Sequence, residues 1–133
     1  MEPTELLRTS MPLCATLGMT ASEASAERVV AHLDWRAELC TSGGLLHGGA
    51  VMALADAAGG ACAFLNLPDG AIGTSTIESK TNFVGAVREG ASVTATSTPL
   101  HRGRTTIVVE TELRVDDRLV AKTTQTQSVL RPA

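Results

Sequence analysis

A single carboxylate, Asp56, stands in the middle of the apolar run Ala50 to Phe64, which the chain enters through His47-Gly48-Gly49. A helix apolar on every side is one that a fold buries, and ionised carboxylates are seldom buried without a partner or a purpose. A poorly solvated carboxylate is a strong base or a nucleophile. The glycines leave the first free N–H groups of the helix open to a substrate oxygen. The same Gly-Gly pair also suits a plain tight turn, and Asp56 also suits a structural bond to a neighbouring Thr or Arg. Gly48 and Asp56 lie eight residues apart, or about 12 Å along a helix axis. One chain cannot bring both to one reacting carbonyl. If both act on it, the simplest solution is a two-fold dimer with Gly48 of one subunit beside Asp56 of its mate.

These residues need elements to hold them. Thr4 to Leu17 has the pattern of a short helix that Pro12 breaks or restarts. From Glu27 to Trp35, Val29, Ala31, Leu33 and Trp35 alternate with Arg28, His32 and Asp34, which predicts a strand, with Met19 to Ala24 as a preceding partner. The apolar helix runs out near Asn66 to Gly70. Beyond it, Thr74 to Val84, Ser92 to Leu100, Thr105 to Val115 and Leu119 to Val129 are rich in Thr, Val and Ile, with turns at Val87–Gly90, His101–Arg104 and Asp116–Asp117. In the third of these strands Ile107, Val109, Leu113 and Val115 oppose Glu110, Glu112 and Arg114, so the sheet is covered on one side only. A single helix cannot cross over between every pair of strands, which makes the later strands antiparallel. The fold class is α+β: one long central helix wrapped by an antiparallel sheet of about six strands.

The chain of 133 residues reads as one domain, 1–133, and 44% hydrophobic content is enough for a sizeable core. With 2% aromatic residues and no Tyr, that core has to be built from Ala, Val, Leu and Ile in close contact. A net charge of −3 and scarce aromatics exclude a nucleic-acid binder of the usual kind. Cys14, Cys40 and Cys62 lack metal-ligand or redox spacing, which predicts no metal site and small core fillers in a reducing cytoplasm. Met1 to Arg8 has neither the basic start nor the apolar core of a secretory leader. The stretch Ala50 to Leu67 is long enough to raise a membrane span, but its Ala and Gly content and Asp56 favour a buried helix in a protein without a membrane partner.

The run Gly44 to Asp56, Gly-Leu-Leu-His-Gly-Gly-Ala-Val-Met-Ala-Leu-Ala-Asp, resembles the signature of hotdog-fold acyl-CoA thioesterases, in the branch that holds the phenylacetate-pathway and 4-hydroxybenzoyl-CoA enzymes. The order of elements from about Glu27 onward matches as well. The resemblance implies a helix wrapped by an antiparallel sheet, homodimers, and active sites at the dimer interface; the outer sheet face leaves room for a second dimer to pack, giving a homotetramer. It makes Asp56 the group that attacks the thioester carbonyl or activates water, Gly48 the N–H that polarises the carbonyl, and His47 the histidine beside it. Thr76 falls where relatives carry a Ser or Thr that orients water. Two positions depart from the pattern: Thr41, followed by Ser42, stands where relatives have Asn or Gln, and Gly60 replaces a hydroxyl residue of one branch. Thr41 retains a donor of shorter reach, and Gly60, on the Asp56 face, leaves room for a bulky acyl group or serves as a packing contact.

The expected reaction is therefore hydrolysis of an acyl-CoA, with coenzyme A as part of the substrate and no separate cofactor. A fixed N–H stabilises the oxyanion, an effect worth roughly two to three orders of magnitude per donor. Arg102 and Arg104, with Gly103 and Thr105, offer cations and N–H groups for the coenzyme A phosphates, although a plain solvated hairpin fits them equally. Lys80 and Arg88 are weaker candidates. Two other readings compete: a hotdog enoyl-CoA hydratase or dehydratase, whose acid is spaced differently from its histidine, and a non-catalytic acyl-CoA-binding module.

Overall fold

A computed structural model describes residues 1–133. Two short helices, α1 (Pro3–Ser10) and α2 (Pro12–Leu17), precede β1 (Thr20–Ala24) and β2 (Val29–Asp34). The long helix α3 (Gly48–Phe64) follows, and then β3 (Gly73–Phe83), β4 (Ser92–Arg102), β5 (Thr106–Val115) and β6 (Arg118–Leu130). Pro12 starts the second helix rather than kinking one long helix, because a proline fits the first turn, where its missing N–H costs nothing.

All strand pairs are antiparallel, in one sheet of order β1-β2-β4-β5-β6-β3. The predicted α+β class and six-stranded sheet are found as expected. The position of β3 was not predicted: it pairs with β6 at the far edge, so the chain between β3 and β4 crosses from one part of the sheet to another. Strand periodicity reports which face a residue takes but not which strand lies beside it.

The core lies between α3 and the inner face of the sheet. Val29, Ala31 and Leu33 of β2, Val93 and Ala95 of β4, and Ile107, Val109 and Leu113 of β5 are buried against Val51, Leu54, Ala55, Ala58, Cys62 and Ala63 of α3. The small residues of α3 let the helix approach the sheet closely. The outer face is polar and carries the ion pairs Arg114–Glu112 (3.1 Å) and Lys122–Glu110 (3.8 Å).

The expectation that α3 is buried all round is corrected. One stripe of the helix, Met52, Asp56, Gly60 and Phe64 at four-residue spacing, lies at the margin of the sheet-packed side, and Met52, Asp56 and Phe64 are exposed. An even apolar composition gives no sign of which side lacks a neighbour. The strand limits also shift: His101 and Arg102 belong to β4, so the turn to β5 is only Gly103–Thr105. No helix is long and apolar enough to cross a membrane.

Candidate active site

His47, the residue before α3, has extended backbone, and its Nδ1 accepts the Gly49 N–H at 2.7 Å. The His47 carbonyl accepts the N–H groups of Ala50 (2.9 Å) and Val51 (3.2 Å). The Gly48 N–H is left as the first-turn donor without an intrahelical partner. It lies in a cavity of about 360 Å³ lined by Thr41, Leu46, Gly48, Val51 and Phe83, among others. A Cβ added to Gly48 would come within 3.3 Å of the Phe83 ring, so the bare glycine lets that ring sit close to the helix entry.

Asp56 lies two turns further along and opens into a different cavity, of about 470 Å³. It is not the poorly solvated carboxylate expected from its apolar neighbours, because the stripe of α3 that carries it is the uncovered one. Its Oδ1 accepts two hydrogen bonds, from Thr76 Oγ1 at 3.3 Å and from Gln125 Nε2 at 3.1 Å. Thr76 Oγ1 in turn accepts from Gln127 Nε2 at 2.6 Å, which turns the hydroxyl hydrogen towards Asp56. A bulge in β3 between Thr76 and Glu78 sets the direction of Thr76. The rest of the cavity is mainly apolar, with Leu6, Leu7 and Met11 from the N-terminal helices and their junction facing Ala61, Phe64 and Leu65 of α3 and its end. Gly60 lines it too, and a Cβ added there would meet nothing within 4 Å. The expected free space beside Asp56 exists.

Gln125 and Gln127 are 1% and 2% exposed, unlike the solvated glutamines of an ordinary strand. Neither stands out in a search for catalytic residue types. The available signal is their phase: they continue the inward-facing series Ala121, Thr123, Gln125, Gln127 of β6, where apolar side chains belong. Gln125 Oε1 is buried with no hydrogen-bond partner, a desolvation cost of about 1–3 kcal/mol. Gly59 admits this side chain, since a Cβ there would overlap Gln125 Oε1.

The predicted residues thus fall into three groups. Asp56 and Thr76 meet; Gly48 and Thr41 share the other cavity, next to the helix cap His47. Arg102, Gly103, Arg104 and Thr105 sit at the β4–β5 turn and line neither cavity, as do the exposed Lys80 and Arg88. Arg102 pairs with Ile107 and shares a row across the sheet with Gln127 and Thr76; three strand spacings put it about 14 Å from Thr76. Arg131 bonds the Arg104 carbonyl at 3.1 Å, adding a third cation to this corner.

Cys14 and Cys62 fill the core as expected, whereas Cys40 is half-buried. Burial pushes the Cys62 thiol up to about 11 against a slight opposing pull from Arg102. Burial also raises Cys14; Arg8 opposes this and the Asp56 charge reinforces it.

Comparison with known proteins agrees with this architecture. A family model described as the thioesterase superfamily matches residues 43–122, which include α3 and most of the sheet. ComA2 of Bacillus subtilis, an esterase by name, is 36% identical over 121 residues, covering 90% of this chain and 94% of that protein. SSO2140 of Saccharolobus solfataricus, also an esterase by name, is 36% identical over 78% of this chain and 73% of its own. Among solved structures, the thioesterase HI1161 of Haemophilus influenzae superposes with a TM-score of 0.88 at 26% identity, covering 98% of this chain and 92% of that one. The thioesterase PA1618 of Pseudomonas aeruginosa, solved as a variant, gives 0.86 at 27% identity, covering 96% and 93%. The long helix in its antiparallel wrapping, the His47-Gly48-Gly49 entry and the family match over residues 43–122 lead to one conclusion: the chain belongs to the thioesterase superfamily, with the hotdog fold.

Proposed function

We propose that this protein is an acyl-CoA thioesterase that works as a homodimer, each site drawing the Gly48 N–H from one subunit and Asp56 from the other. Superfamily membership and the names of its relatives support ester or thioester hydrolysis in general. The observation that carries the finer reading is the separation of two complementary half-sites: a free helix-entry N–H in one cavity, and a hydrogen-bonded carboxylate at the head of an apolar cavity in the other.

In this reading Asp56 Oδ2 takes a proton from water, and the water oxygen attacks the thioester carbonyl carbon. The Gly48 N–H of the other subunit holds the resulting oxyanion. When the adduct collapses, the C–S bond breaks, and the coenzyme A thiolate leaves and picks up a proton. Direct attack by Oδ2, giving a mixed anhydride that water then cleaves, uses the same oxygen. Thr76 holds Asp56 and the water, Thr41 lines the Gly48 half-site, and the apolar cavity accepts the acyl group. The Arg102–Arg104 turn lies at a distance suited to the far, phosphate-bearing part of a long substrate.

The dimer is supported by β3, which ends the sheet with one edge unpaired and carries exposed Ile77 and Phe83, 64% and 48% accessible, and by exposed Met52 of α3. An unpaired edge of eleven residues with exposed apolar side chains is a template for pairing with another chain. The polar outer face of the sheet argues for a dimer rather than a stacked tetramer. We assign the protein to the cytoplasm on its free thiols, and read residues 1–133 as one domain built on one core.

Thiol release from a panel of short, medium, long and aromatic acyl-CoAs tests the proposal. Asp56→Ala should lower turnover of the best substrate by about 10²–10⁴-fold while the circular dichroism spectrum is unchanged. Full activity in that variant, tight binding without turnover of any acyl-CoA, or hydration of an enoyl-CoA without thiol release would each overturn it.

A further inference from the structure

The polar core residues of β6 do more than fill space. Buried glutamines are uncommon, and a buried carbonyl oxygen with no partner is rarer still. Gln125 shows both, at 1% exposure with Oε1 unpaired. Two local features are arranged to allow it. Gly59 interrupts the middle of α3 with a residue of poor helix propensity, and its missing Cβ is the space that the Gln125 amide occupies. The amide then extends past the helix to place Nε2 at 3.1 Å from Asp56 Oδ1. A flipped amide would set its carbonyl against the carboxylate, so Asp56 itself dictates the orientation.

Both donors that reach Asp56, Gln125 and Thr76, go to Oδ1. Oδ2 receives none, and the carboxylate opens into the apolar cavity. We infer that Gln125, seated in the notch left by Gly59, is a positioning residue that holds Asp56 by Oδ1 and thereby presents Oδ2 as the reacting oxygen. The inference rests on the proposed role of Asp56. Gln127 acts one step further out, through Thr76.

Asp56 is the only charged group lining its cavity: α1 contributes Pro3, Leu6, Leu7 and Ser10, β3 contributes Gly73, Thr74 and Thr76, and β6 contributes Gln127. From α2, the Cys14 thiol is within electrostatic reach, with Arg8 of α1 beyond it. Any new pH dependence at Gln125 is therefore measured in a Cys14→Ala background.

The test uses the full chain and the acyl-CoA it turns over fastest. Gln125→Met keeps the volume and removes the donor; kcat should fall about tenfold to a hundredfold, with KM little changed because the residue does not touch substrate. Gln125→Glu should stay active while one proton is shared by the two carboxyls, and lose activity at higher pH, where the second proton leaves and the carboxylates repel. Wild-type protein should lack that alkaline limb. Gly59→Ala should lower kcat alone but add little in a Gln125→Ala background, where the overlapping amide is gone. If the Gln125 variants do not fold, Gly59→Ala alone, shown to be folded by thermal melt, decides the matter, because its Cβ displaces the Gln125 amide: kcat should fall with KM little changed, and wild-type kcat there would overturn the inference. Wild-type kcat in folded Gln125→Met, an unaltered pH profile in Gln125→Glu, or additive losses in the double variant would overturn the inference. Asp56→Ala, measured in parallel, separates the failures. An inactive Asp56→Ala beside a normal Gln125→Met removes only the positioning role; a fully active Asp56→Ala removes both.

Discussion

The imidazole of His47 accepts the Gly49 N–H, which makes its first task the capping of α3. That bond requires an unprotonated Nδ1, and it fixes the turn that leaves the Gly48 N–H unused. His47→Ala should destabilise the protein by about 1 kcal/mol, whereas His47→Asn, a good cap, should recover most of the loss; urea denaturation of the two variants measures the difference. Asp56, Gly48 and His47 were legible in the sequence because an acid in an apolar run and a Gly-Gly entry are rare enough to notice. Thr76 was legible only through resemblance. Gln125, Gln127 and Gly59 escaped, since their significance lies in a meeting between β6 and α3 that no local pattern encodes. The exposure of Asp56 escaped for the same reason: its neighbours in sequence are apolar, but in space it opens into a cavity rather than a packed core.

At the scale of elements, α3 is two helices in one. Its sheet side, Leu54, Ala55, Ala58, Cys62 and Ala63, is fully buried, while Met52, Asp56 and Phe64 look outward. Cys62 reports on the buried side. Its folded value of about 11 stands above the unfolded value of 9.0, so the neutral thiol favours the fold. This contribution is complete below pH 9 and is lost as pH rises towards 11, on the order of 3 kcal/mol at most. The urea midpoint of wild type should accordingly fall over that window, and that of Cys62→Ala should fall less. The alternation of β2 and β5 and the apolar run of α3 made these elements readable to within a few residues. The seat of β3 beyond β6 was not readable, because pairing partners distant in sequence leave no mark on periodicity.

At the scale of the molecule, the two halves of the proposed site lie in separate cavities at different points along one helix. Gly48 is the first helical residue and follows a residue with extended backbone, a position where proline is tolerated. Gly48→Pro removes the N–H, and the exposed Phe83 ring is the neighbour that must give way. Gly48→Pro and Asp56→Ala should each be inactive. Mixed after dissociation and reassembly, they should regain about a quarter of wild-type activity, because half the dimers are hybrid and each hybrid has one intact site. No recovery would mean that each chain carries its own complete site. The unpaired edge of β3 has a wider consequence. If catalysis needs a joint between two chains, the rate per molecule must decline on dilution, and assays begun from very dilute stocks should show a lag while partners find each other. Substrate spanning that joint acts as a clamp, so abundant fuel would hold the machine together and scarcity would let it come apart.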